Sequence, residues 1–121
     1  MTVNIKINYI ELPAGDIKKA KKFYADLFGW TFVDYGDDYC AFNDGATDGG
    51  FYRSDLNSSS ANGAALVVLY ASDLEAIQKK IEPAGGSVIK PIFTFPGGRR
   101  FHFLDPNQNE LAVWSDAEAV K

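Results

Sequence analysis

The chain has 121 residues, 46% hydrophobic and 23% charged, with a net charge of −4. That balance suits one globular domain with a real core and excludes an intrinsically disordered tail. Its sixteen acidic residues are spread along the sequence, which suits ordinary solubility and leaves no nucleic acid among the expected partners, while the single cysteine, Cys40, excludes an intrachain disulfide and a thiolate metal cluster.

The N-terminal stretch MTVNIKINYIELP lacks the apolar core and small-residue cleavage site of a signal peptide. With no apolar run long enough to span a bilayer, a cytoplasmic protein with no membrane partner is expected. A first strand is predicted over Ile7 to Leu12. Asp16, an N-cap type, opens a helix. Ile17, Ala20, Phe23, Tyr24 and Leu27 form its apolar stripe, Lys18, Lys19, Lys21 and Lys22 its solvated face, and Gly29 ends it. Three short strands follow, Trp30 to Tyr35, Tyr39 to Phe42 and Gly50 to Arg53, broken by Gly36-Asp37-Asp38 and Asn43-Asp44-Gly45 turns. Cys40 is expected as a buried, inert thiol, because the only histidine, His102, is far away in sequence. A serine-rich linker spans about residues 55–62.

The second half repeats the order. A strand over Ala64 to Leu69 precedes Ser72-Asp73-Leu74-Glu75, which fits a capping box. Leu74, Ile77 and Ile81 form a helical stripe that Pro83 and Gly85-Gly86 stop. Strands Ser87 to Phe95, Arg99 to Leu104 and Glu110 to Trp114 are joined by Pro96-Gly97-Gly98 and by Asp105-Pro106-Asn107-Gln108-Asn109. The halves align at an offset of 57 residues: Asp16 with Asp73, Gly29 with Gly86, Ile10 with Val67 and Leu12 with Leu69. The fold expected is therefore α+β, with two βαβββ modules over about residues 3–54 and 63–116.

The pieces Asn8-Tyr9-Ile10-Glu11-Leu12, Lys22-Phe23-Tyr24, Leu27-Phe28-Gly29-Trp30 and Phe101-His102-Phe103-Leu104-Asp105-Pro106-Asn107-Gln108-Asn109-Glu110-Leu111 occur in this order. In this the chain resembles the vicinal oxygen chelate superfamily, which includes glyoxalase I, bleomycin-resistance proteins and extradiol dioxygenases. The resemblance implies curled mixed sheets around a shared cavity, a tendency to form homodimers, and, in the family's enzymes, a divalent metal acting as a Lewis acid. The positions matching the family's metal ligands are Tyr9, Leu66 and Ala112. Leucine and alanine have no lone pair to offer, and tyrosine is a poor ligand unless ionised. No metal cofactor is expected on that basis. The alternative is a relocated divalent-metal site made of Glu11, His102 and Glu110.

Alternation along the strands sorts side chains into two faces. Ile10, Leu12, Val67, Leu69, Leu111 and Val113 are expected under the helices. Ile5, Ile7, Tyr9, Leu66, Val68, Tyr70, Ala112 and Trp114 are expected to line the cavity. Tyr9, Arg53, Tyr70, Arg100, His102 and Trp114 are the candidate ligand-binding residues: aromatic rings to stack on a planar ligand, and cations for a carboxylate or phosphate-like group. Arg100 is preferred to Arg99 because it shares the parity of His102. A small aromatic or apolar molecule is the expected partner, sequestered or sensed. Two other readings stand beside this one: a metal-dependent lyase, isomerase or dioxygenase, and a structural or regulatory dimer without pocket chemistry.

Overall fold

The structure is a computed structural model that describes residues 4–117. Eight strands and two α-helices follow one another as β1 (Tyr9–Ala14), α1 (Ile17–Phe28), β2 (Thr31–Asp34), β3 (Tyr39–Asn43), β4 (Asp48–Arg53), β5 (Val67–Tyr70), α2 (Leu74–Ile81), β6 (Ser87–Phe95), β7 (Gly98–Leu104) and β8 (Glu110–Ser115). A single 3-10 turn, Ser60–Asn62, lies between the halves. The first sheet has strand order β1-β4-β3-β2 and the second β5-β8-β7-β6. In each, the outer strand β1 or β5 runs parallel to its neighbour and the remaining pairs are antiparallel. The α+β class and the two βαβββ modules are as expected.

Local chemistry accounts for the elements. The Asp16 carboxylate accepts from the Lys19 N–H at the start of α1. Gly29 closes that helix in the left-handed region, φ 73°, which only glycine adopts at no steric cost. Pro13 and Pro91 both fall on edge strands, where a missing N–H interrupts no central ladder. The capping box predicted at the second helix does not form. Asp73, not Ser72, is the N-cap, accepting from Ala76 N–H, and Glu75 instead pairs with Arg99.

One core joins the modules through their helix-facing sides. Phe23 and Tyr24 of α1 are buried with Phe51, Phe101, Phe103, Leu111 and Val113. The ring of Phe23 lies 5.9 Å from that of Phe103 in the other sheet. A polar clamp reinforces the junction. The Asp105 carboxylate accepts from the Tyr24 hydroxyl at 2.8 Å, Asn109 donates its amide to the Pro13 carbonyl at 2.7 Å, and Asn107 bonds both the N–H and the carbonyl of Asp16.

Because the helix sides share the core, the opposite, open faces of the unclosed sheets meet solvent. Tyr9, Val33, Tyr35, Val68 and Tyr70 are all exposed there. Ile5 and Ile7, expected on this face, lie outside β1 and are about nine-tenths exposed; Ile5 has φ 56°, a turn conformation that breaks the strand pattern. Leu66 precedes β5 and is half-buried. Cys40 is buried as predicted.

Candidate functional site

Four of the six predicted binding residues share the open face of the second sheet. Tyr70 pairs with Trp114 across β5 and β8, Arg100 with Trp114 across β7 and β8, and His102 with Ala112. The rings of Tyr70 and Trp114 meet edge-to-face at 5.2 Å. β6 adds Phe95, 6.4 Å from Trp114, and Phe93, 5.9 Å from His102. The Arg100 guanidinium sits 5.5 Å from the centre of the Phe93 ring and 5.6 Å from that of Phe95, so two aromatic faces hold the cation in place. Arg99 points the other way and forms a fork with Glu75 beside α2. The Tyr70 hydroxyl donates to Asp116 at 2.6 Å, which raises its pKa.

His102 has an orienting partner in Glu110, which the sequence set beside it only as a fellow candidate metal ligand. Its Nδ1 lies 2.8 Å from Glu110 Oε2, and both side chains are buried. Glu110 Oε1 accepts from the Ser60 N–H at 2.9 Å, so the linker between modules fixes the carboxylate. Burial alone would raise the Glu110 pKa; the hydrogen bonds from His102 and Ser60 outweigh it and hold the carboxyl below its usual range. A carboxylate in that state only accepts, so Nδ1 carries the proton. The other ring nitrogen, Nε2, and the Nε of Arg100 are shut off from solvent and make no hydrogen bond among the described residues.

Tyr9 stands on the other sheet. Its hydroxyl lies 2.5 Å from that of Tyr39, which in turn donates to Glu11 Oε2 at 2.9 Å. Gly50 makes this chain possible: a Cβ there would lie 2.0 Å from the Tyr39 oxygen. Partial burial, then the bonds to Tyr9 and Glu11, raise the Tyr39 pKa far above its ordinary value, so the hydroxyl stays protonated. Tyr9, Val33, Tyr35, Tyr39 and Asp48 line a shallow open hollow of about 540 Å³. Arg53 is on neither open face. It alternates with Tyr52 and lies at the helix side of its sheet beside Asp16 and Lys18, 3.9 Å from Asp38.

These residues do not fit a divalent metal. Leu66 and Ala112 offer no donor, and Gly50, which pairs with Glu11 across β1 and β4 as Ala112 pairs with Val68 across β5 and β8, offers none either. The relocated set is split. Glu11 belongs to the tyrosine chain of the first sheet, while both oxygens of Glu110 are engaged on the second. Among the described residues no three His, Cys, Asp or Glu side chains gather as a metal site. Sequence reasoning missed Phe93, Phe95 and Tyr39. Tyr39 shares the open face with Ala41 and alternates with the buried Cys40, a signal that was there to be read.

The family model described as Glyoxalase/Bleomycin resistance protein/Dioxygenase superfamily matches residues 6–113. CFP32 of Mycobacterium tuberculosis, which carries the provisional name glyoxylase, is 27% identical over 88% of this chain and 44% of its own length. The anthracycline biosynthesis protein DauV of Streptomyces sp. (strain C5) is 30% identical over 88% of this chain and 45% of its own. The chain thus spans less than half the length of these curated relatives. Among solved structures, a glyoxalase-related enzyme from Fulvimarina pelagi superposes with a TM-score of 0.75 at 15% identity, over 97% of this chain and 98% of that one. The fosfomycin resistance protein FosX of Listeria monocytogenes, complexed with Mn(II) and a dihydroxypropylphosphonic acid, superposes at 0.77 and 15%, over 96% of this chain and 93% of that one. Extent of match and shared fold together place the chain in the Glyoxalase/Bleomycin resistance protein/Dioxygenase superfamily.

Proposed function

We propose that this chain is a metal-independent small-molecule-binding protein that works as a homodimer and holds a small aromatic or apolar molecule, for sequestration or sensing. The observation that carries this reading is the composition of the second sheet's open face. Tyr70, Trp114, Phe93 and Phe95 surround one guanidinium and one imidazole, each with an unpaired nitrogen. Apolar walls with a few placed polar groups are the usual make-up of a ligand pocket.

The chemistry is that of selective capture. An aromatic ligand laid on Trp114 gains stacking of about 0.5–1.5 kcal/mol beyond the area it buries. Arg100, already held between two rings, donates to an acceptor on the ligand with little ordering cost. A second copy laid over the exposed open faces would exclude water and strengthen those hydrogen bonds. The apolar and aromatic side chains exposed on both faces support that assembly.

The test uses 2-naphthoate, an aromatic carboxylate, titrated into chelator-treated protein. Trp114→Ala is expected to weaken binding about tenfold, the loss of one good ring contact, while the melting temperature moves little because Trp114 is only half-buried. Loss of binding only in proportion to loss of fold would refute the assignment. Sedimentation should show a dimer.

A further inference from the structure

The unpaired nitrogens at the site define what the ligand must bring. His102 Nδ1–H is committed to Glu110, which leaves Nε2 to meet the ligand, with a lone pair whenever the ring is neutral. That nitrogen is buried and has no hydrogen-bond partner among the described residues. A buried acceptor without a partner is costly, and such groups mark places where a partner is still to come. Two residues along the same face of β7, about 6–7 Å away by strand geometry, the Nε–H of Arg100 is buried and unpaired too. One acceptor and one charged donor therefore stand side by side beneath an aromatic wall. Phe93, beside the imidazole, belongs to an edge strand whose pairing slips between Lys90 and Phe93.

We infer that His102 and Glu110 form a proton-accepting pair which, with Arg100, takes an aromatic ligand bearing an ionisable hydroxyl, a phenol or enol. The hydroxyl O–H bond breaks and an N–H bond forms at Nε2. The imidazolium is stabilised by Glu110 and the oxyanion by Arg100. The proton returns when the ligand leaves, so nothing is consumed. The charged or titratable groups facing His102 are Glu110 on β8, Arg100 on its own strand, and Lys90, its register partner on β6. This inference rests on the binding reading above and names the ligand class of that same face.

The probe is 4-nitrophenol, whose deprotonation gives a separate absorption band. Its control is 4-nitroanisole, the same ring with no proton to give. At a pH where free 4-nitrophenol is mostly protonated, the wild-type protein should bind it about tenfold more tightly than 4-nitroanisole, the gain expected of one charge-assisted hydrogen bond, and the phenolate band should appear on binding. His102→Gln and Glu110→Gln should lose both the preference and the band, with circular dichroism confirming that each variant keeps the fold. Equal affinity for the two nitro compounds with no band would overturn the proton-accepting pair and leave the binding reading standing. Failure of all three probes, 2-naphthoate included, would overturn both.

Discussion

Asp105 is where removal of one side chain should be felt most. The residue is buried, and its carboxylate accepts from the Tyr24 hydroxyl at 2.8 Å, the Asn107 N–H at 2.7 Å, the Asn109 N–H at 3.1 Å and the Asn109 amide at 3.2 Å. Asp105→Ala leaves the Tyr24 hydroxyl and the Asn109 N–H without an acceptor, and both residues are fully buried. Each orphaned donor costs about 1–3 kcal/mol. The Asn109 amide keeps the Pro13 carbonyl and adds little. Relief from desolvating the carboxyl, whose pKa burial raises despite these bonds, returns part of the loss. The net destabilisation expected is about 3 kcal/mol, a large share of the 5–15 kcal/mol typical of a domain. Urea unfolding followed by near-ultraviolet circular dichroism measures it. Tyr24→Phe, which removes a single donor, should cost only about 1 kcal/mol. A loss under about 1 kcal/mol for Asp105→Ala would refute the idea that this cluster clamps the modules.

The same carboxyl gives a pH prediction. Burial raises its pKa above the ordinary 3.8, against bonds from Asn109, Tyr24 and Asn107 that lower it. The folded state thus binds the proton more tightly than the unfolded chain. Its contribution to stability is full below 3.8 and is lost as pH rises through the folded-state value. The unfolding free energy of wild type minus that of Asp105→Asn should therefore fall as pH rises from about 4 to about 7; a difference that grows would contradict this. At Gly98 an added Cβ would lie 2.2 Å from the Ser115 carbonyl oxygen, a backbone atom in the neighbouring strand. Gly98→Ala should cost about 1–3 kcal/mol and weaken probe binding by shifting Arg100 and Trp114, which thermal melts and 2-naphthoate titrations together would show.

Local features of the fold were legible in the sequence because their causes are local. Asp16, the Ile17 to Leu27 stripe and Gly29 set one helix between them without help from distant residues. Strand alternation placed Leu111 and Val113 under the helices and Trp114 on the other face, because side-chain period is fixed by the pleat. Contacts set by register were not legible. The His102–Glu110 pair exists because the Asp105 to Asn109 turn aligns Leu104 with Glu110, and because the linker lays Ser60 N–H on the same carboxylate. Strand alternation could set His102 and Glu110 near one another, as the relocated metal set supposed, but neither hydrogen bond has a signature in spacing. The packing of Phe23 against Phe103 joins residues 80 positions apart, so which sides of the sheets share the core had to come from the structure. Arg53 was a misreading of available information: it alternates with Tyr52 and so falls on the side of Phe51, the helix side.

The central claim is that the ligand is held by side chains without a metal. The most direct test is the affinity of the protein for 2-naphthoate after exhaustive chelation, compared with protein supplied with Zn²⁺, Ni²⁺, Mn²⁺ or Fe²⁺, with metal content followed by native mass spectrometry. The account predicts the same affinity in every sample and no stoichiometric metal. Binding that appears only when one metal per chain is loaded would contradict it, and would return the chain to the metal-dependent chemistry of its superfamily.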